Sequence, residues 1–190
     1  MIYILAGIAK SGKSLIANEI LKTYQIRIIS TDWIMMMLHY GNKDLNIDIN
    51  RSDKSVSHMI EPYMEGLIKS LIGFKKDVLI EGVHIQPEFA SVLQNRYPGL
   101  IHIVFLGYKN INPDIKKQEL KINAKFIDNP WYINYNEEEL SKLIHYLIKE
   151  SDDLEKTCIK FKQTYIDVHN IINDKVNIIN VLLKGKHPIT

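Results

Sequence analysis

Eight residues near the start of the chain, Gly7-Ile8-Ala9-Lys10-Ser11-Gly12-Lys13-Ser14, constrain its fold more than any other stretch. They fit glycine, four variable residues, glycine, lysine and a hydroxyl residue at every fixed position. An apolar run over 2–6 precedes them. A helical pattern over 11–24, carrying Leu15, Ile16, Ile20 and Leu21, follows. A strand that turns through glycines into a helix presents successive backbone N–H groups at a helix N-terminus, where partial positive charge collects. Gly7 and Gly12 permit backbone angles and close approach that a Cβ would block. Lys13 adds a full positive charge, and Ser14 offers a hydroxyl to a hard cation such as Mg²⁺. The whole stretch, with Ile8, Ala9, Lys10 and Ser11 as its rim, is suited to gripping the phosphates of a nucleotide.

Four more short apolar runs lie further on, over 26–30, 78–80 with Glu81 at its end, 101–106 and 164–168. Helical patterns separate them, over 32–40, 55–74, 87–97, 113–126, 137–162 and 171–183. The stretch 137–162 reads as one long helix or two. Its Leu140, Leu143, Ile144, Leu147 and Ile148 form a core-facing stripe. Continuous apolar strands that alternate with helices predict an α/β fold, a three-layer sandwich on a parallel five-stranded sheet. Right-handed crossovers put the ligand at the carboxyl edge of such a sheet.

The chain has 190 residues, 46% of them apolar, and no linker divides it, so one domain over 1–190 is expected. Its 24 basic and 22 acidic side chains leave a net charge of +2, a balance that argues against a nucleic-acid partner. Cys158 is the one cysteine, which rules out an internal disulfide and fits a reducing compartment. With no activating cation beside it in sequence, it reads as a small buried residue rather than a nucleophile. The apolar start is too short for a signal peptide or a membrane span, so a cytoplasmic protein is expected. Monomer and homodimer are both compatible with the sequence. Residues 42–53 are polar and read as an exposed loop. Residues 109–135 are rich in lysine and suit a mobile lid. Trp131, Tyr132 and Tyr135 there either line a pocket or anchor the lid to the core.

Two acids and a histidine stand at strand ends. The run 26–30 leads into Thr31 and Asp32, which places the Asp32 carboxylate at the ligand edge. A carboxylate there can accept the proton of an attacking hydroxyl. Asp32 is equally suited to capping the next helix, although Thr31 can fill that role. Glu81, followed by Gly82, is placed to hold Mg²⁺, directly or through water, or to orient an acceptor. His84 either contacts an acidic acceptor or serves local structure. A guanine-nucleotide switch would need Asn-Lys-x-Asp after a strand. Asn42-Lys43-Asp44 has the wrong spacing and lies in a polar stretch.

The phosphate loop, Ser30-Thr31-Asp32 and Ile80-Glu81-Gly82-Val83-His84 together resemble the small P-loop kinases, a group that includes 2-phosphoglycerate kinase, chloramphenicol phosphotransferase and the zeta-toxin kinases. The nearest likeness is to 2-phosphoglycerate-kinase-like proteins, on Glu81-Gly82-Val83-His84-Ile85 with Pro87 shortly after. The layout extends to Asn129-Pro130-Trp131, the helix over 137–149 and Tyr165-Ile166-Asp167. The resemblance implies strand order 2-3-1-4-5, ATP and Mg²⁺ as cosubstrates, Asp32 as base and an adenine pocket around 167–170, with Asp167 in it. It implies transfer of the γ-phosphoryl group to a hydroxyl or phosphate of a small molecule: a sugar acid such as 2-phosphoglycerate, a nucleoside or nucleotide, or an antibiotic. The alternative is a nucleotide-binding regulatory or toxin-like protein that acts on a larger acceptor. Such kinases clamp the transferring group with lid arginines. This chain has only Arg27, Arg51 and Arg96, all outside the lid. Of the lid lysines 109, 116, 117, 121 and 125, Lys117 and Lys121 share a helix face and are the expected phosphate contacts. Arg51 or Arg96 would otherwise supply the charge.

Overall fold

A computed structural model describes residues 1–49, 51–124, 130 and 132–188. Its strands are β1 (Ile2–Gly7), β2 (Arg27–Ser30), β3 (Val78–Glu81), β4 (Ile101–Gly107) and β5 (Thr164–Asp167). They form one parallel sheet in the order β2-β3-β1-β4-β5. The helices are α1 (Lys13–Tyr24), α2 (Thr31–Gly41), α3 (Asp53–Gly73), α4 (Pro87–Arg96), α5 (Pro113–Asn123), α6 (Glu137–Lys160) and α7 (Ile171–Leu183).

Alternation along the central strand assigns the two faces. Ile2, Ile4 and Ala6 of β1 point to one side, where Ile34 of α2, Ile60 and Met64 of α3, and Phe89 and Leu93 of α4 cover them. Tyr3 and Leu5 point to the other, against Ile16 and Ile20 of α1 and Ile178 and Leu182 of α7. The result is the predicted three-layer sandwich with the predicted strand order. Each fully buried Ile or Leu here contributes roughly 1.5–3 kcal/mol of transfer free energy, so the sheet is a stiff platform for whatever its carboxyl edge holds.

Several boundaries differ from the sequence expectation. Ser30, not Asp32 or Thr31, caps α2; its side chain accepts from the Asp32 amide at 3.3 Å. The stretch 42–53 is not wholly exposed. It holds a short 3-10 turn at Lys43–Leu45, and Ile47 drops into the core while its carbonyl accepts from His39 Nδ1 at 2.6 Å. Helix α3 starts at Asp53, two residues earlier than its apolar pattern, because Ser52 caps it and carries its first turn to the carboxyl edge. Helix α6 is one continuous helix of 24 residues, opened by a reciprocal cap between Asn136 and Glu139. Lys125, Asn129 and Trp131, singled out in the sequence, lie outside the described residues. Among the described residues no helix is long and apolar enough to cross a membrane.

Candidate active site

The loop from β1 to α1 stands at the carboxyl edge of the sheet. Gly7 (φ +125°) passes so close to β4 that a Cβ would lie 2.1 Å from the Leu106 carbonyl oxygen. Lys10, at φ 63°, and Gly12, at φ 90°, take left-handed angles and curl the backbone into a concave nest. Gly12 precedes α1 and has no side chain to cap it, so the N–H groups of the first turn stay open toward the loop. Lys13 is buried and folds back over the nest. Its ammonium donates to the carbonyls of Ile8 at 2.6 Å and Gly7 at 3.1 Å, and to Ser11 Oγ at 3.4 Å. Burial depresses its pKa to about 8, with Glu81 and Asp32 pulling the other way. A buried cation that donates to carbonyls and a hydroxyl is well placed for polyanionic phosphate oxygens.

Residues from the segment after β4 brace the loop from outside. The Tyr108 hydroxyl donates to the Ala9 carbonyl at 2.8 Å. Lys116, only 1% exposed, donates to the Lys10 carbonyl at 2.8 Å, to Glu119 at 3.2 Å, and lies 4.3 Å from the Tyr108 ring centre. Lys116 thus packs against the loop itself. Lys117 and Lys121, the expected phosphate contacts, pair with Glu137. The sequence carried a signal for this: Lys116 precedes buried Leu120 by four, on the inward stripe of α5.

The expected acids do converge. Ser14 Oγ donates to Glu81 Oε2 at 3.4 Å, which sets a hydroxyl beside a buried carboxylate at the edge of the cradle. Burial raises the Glu81 pKa, against the pull of Lys13. Hard oxygen ligands of this type fit Mg²⁺. Asp32 stands in the first turn of α2 with its carboxylate largely in solvent. His84, buried, faces it: Nδ1 lies 3.4 Å from Asp32 Oδ1 and 3.1 Å from Thr31 Oγ1. Burial lowers the His84 pKa, with Asp32 and Asp53 opposing. Gly82 makes this packing possible. At φ +150° a Cβ would sit 1.8 Å from Thr31 Oγ1.

Two expected ligand residues have other partners. Arg51 is exposed and turns to Asp48 at 3.8 Å, outside the cleft. Asp167 accepts from the Lys109 amide at 2.7 Å and the Asn110 side chain at 2.8 Å, so its carboxylate ties β5 to the exit of β4. Arg96 pairs with Glu65.

A cleft of about 260 Å³ opens beside the loop. Its walls are Gly7, Ile8 and Ala9, the first residues of α3 with Asp53 and Lys54, the segment after β3 with Val83 and Gln86, and the α6 residues Tyr146, Glu150 and Asp153. Sequence reasoning missed Asp53 and the α6 acids. Asp53 interacts electrostatically with His84, Lys13 and Asp32, and burial raises its pKa.

No protein-family model matches the sequence, and no curated protein matches it. Solved structures do match along nearly the full chain. A shikimate kinase from Bacteroides thetaiotaomicron superposes with a TM-score of 0.59 at 15% identity, covering 97% of this chain and 98% of that one. The chain has the P-loop kinase fold. A gluconokinase from Sinorhizobium meliloti 1021 gives a TM-score of 0.56 at 15% identity, over 96% of this chain and 89% of that one. A sugar kinase from Janibacter gives 0.53 at 11% identity, over 96% and 94%. At these identities the likeness speaks for the fold, and the chemistry rests on the residues above.

Proposed function

We propose that the chain is an ATP- and Mg²⁺-dependent phosphotransferase that moves the γ-phosphoryl group to a hydroxyl of a small molecule. The observation that carries this reading is the juxtaposition of Lys13, inside a phosphate cradle, with the Asp32 carboxylate and a cleft that begins at Gly7–Ala9. The kinase names among the structural neighbours support it.

In this mechanism the open N–H groups of the loop and α1 hold the phosphates, and Lys13 exchanges its loop carbonyls for phosphate oxygens. Ser14 and Glu81 would hold Mg²⁺, Glu81 directly or through water. The ion supplies charge neutralisation on the phosphates. Asp32 accepts the proton of the acceptor hydroxyl. The acceptor oxygen forms its bond to the γ-phosphorus as the bond from that phosphorus to the β–γ bridging oxygen breaks, and ADP leaves. His84 fixes the Asp32 carboxylate. Lys116, a cation from the lid segment, braces the outer wall of the loop. The same reading takes 1–190 as one cytoplasmic kinase domain with a lid within 109–135. A hydroxy acid such as 2-phosphoglycerate is the acceptor that the sequence resemblance suggests.

Acceptor-dependent ADP formation from ATP and Mg²⁺, screened over small hydroxyl compounds, tests the reading. Turnover that needs an acceptor and disappears in Lys13→Ala supports it. Hydrolysis indifferent to every acceptor and intact in Lys13→Ala refutes it.

A further inference from the structure

The cleft beside the phosphate loop has a charge pattern that speaks to its occupant. Four separate segments build it, and three of its lining residues are carboxylates: Asp53 from α3, and Glu150 and Asp153 from α6. Among the described lining residues Lys54 is the one cation. Asp153 pairs with Lys156 at 3.3 Å, whereas Glu150 has no ion-pair partner among the described residues. Tyr146, Glu150, Asp153 and Thr157 follow one another at four, three and four residues, so one face of α6 presents an aromatic ring, two carboxylates and a hydroxyl to the cavity.

The chain's three arginines are elsewhere. Arg27 starts β2, at the far end of the sheet, Arg51 turns to Asp48, and Arg96 pairs with Glu65. An acceptor that carries a carboxylate or phosphate would therefore meet like charge and no bidentate partner. A protonated amine would meet carboxylates and the aromatic ring of Tyr146, two kinds of group that recognise ammonium. The cleft's size suits a molecule near that of a monosaccharide.

We infer that the acceptor is a hydroxylated amine, an amino sugar or amino alcohol, whose ammonium group is held by Glu150, Asp153 and Asp53 with Tyr146 while its hydroxyl faces Asp32. This rests on the phosphotransferase reading and sharpens it. It replaces the 2-phosphoglycerate-like acceptor, whose two acidic groups this cleft would repel. Like charges arrayed against a ligand act as a filter as much as opposite charges act as a grip.

The test is acceptor-dependent ADP formation with saturating ATP and Mg²⁺, run on a panel of amino sugars and amino alcohols, the neutral sugars and polyols of the same carbon skeletons, and the matching hydroxy acids, 2-phosphoglycerate among them. The proposal expects the best amine to exceed its hydroxy-acid counterpart by about tenfold or more in kcat/KM. It expects Glu150→Lys to invert that order by favouring the acids, an outcome that a merely structural role for Glu150 would not produce. Glu150→Gln should raise KM for the amine about tenfold and leave KM for the neutral compounds within about twofold. Preference for hydroxy acids, or a panel in which no amine exceeds its neutral and acidic counterparts, overturns it. Binding of the ATP analogue AMP-PNP, followed by calorimetry on the same samples, separates the two claims. If the analogue binds and the acids are preferred, only the amine assignment falls; if it does not bind, the kinase reading falls with it.

Discussion

His84 Nδ1 lies 3.4 Å from Asp32 Oδ1 and 3.1 Å from the Thr31 hydroxyl, so one buried ring links the end of β3 to the start of α2 and fixes the carboxylate that faces the cradle. Ser30 serves the helix as its cap, which leaves Asp32 to be aimed by the imidazole. Asp32→Asn keeps the size and loses the proton acceptor. Its kcat should fall by about 10²–10⁴-fold while the ATP dissociation constant changes less than about threefold. Steady-state kinetics with the best acceptor, paired with calorimetry, checks both halves.

His84→Ala removes the aiming group but not the base. A drop in kcat of about tenfold, with KM for ATP unchanged, is the expected outcome. Equal loss in the acceptor-free binding of ATP would instead mark His84 as purely structural.

Gly82→Ala places a methyl against Thr31 Oγ1 and strains a backbone at φ +150°. Thr31 and His84 would have to move. The expected cost is about 3 kcal/mol in urea unfolding, together with the same kinetic defect as His84→Ala.

The buried Lys13 couples binding to pH. Its folded pKa of about 8 lies below the ordinary lysine value of 10.5, so the unfolded chain binds more protons between those values and the empty protein gains stability as pH rises from about 8 to 10.5. Lys13→Met should flatten that rise. Phosphates restore the charge, so nucleotide binding near pH 8.5 should take up protons. Calorimetry in two buffers of different ionisation enthalpy reads the uptake directly. Lys13→Met should show none.

The parts of this molecule that were legible in the sequence share a physical cause. The cradle could be read because backbone geometry demands glycine, lysine and a hydroxyl at fixed offsets, all within eight residues. The layers followed from apolar runs alternating with helices, and the strand order from the resemblance to the small P-loop kinases. Asp32, Glu81 and His84 were legible because each stands at a strand's carboxyl end. Asp53, Glu150 and Asp153 were not. Their meeting depends on where the starts of α3 and the middle of α6 lie against the loop, a separation of about a hundred residues that no local pattern encodes. Lys117 and Lys121 share a face that pairs with Glu137, while Lys116 on the stripe with Leu120 reaches the loop. Lys116→Met should accordingly weaken ATP about tenfold, and Lys121→Met should leave it unchanged, by fluorescence titration of a labelled nucleotide.

The central claim is that the loop over residues 7–14 grips a triphosphate. Titrating ATP with Mg²⁺ into the protein by calorimetry tests it most directly. One site per chain is expected, with a dissociation constant in the micromolar range, about −8 kcal/mol, and a loss of about a hundredfold in Lys13→Ala. Absence of binding at millimolar ATP, or equal affinity in Lys13→Ala, would contradict it.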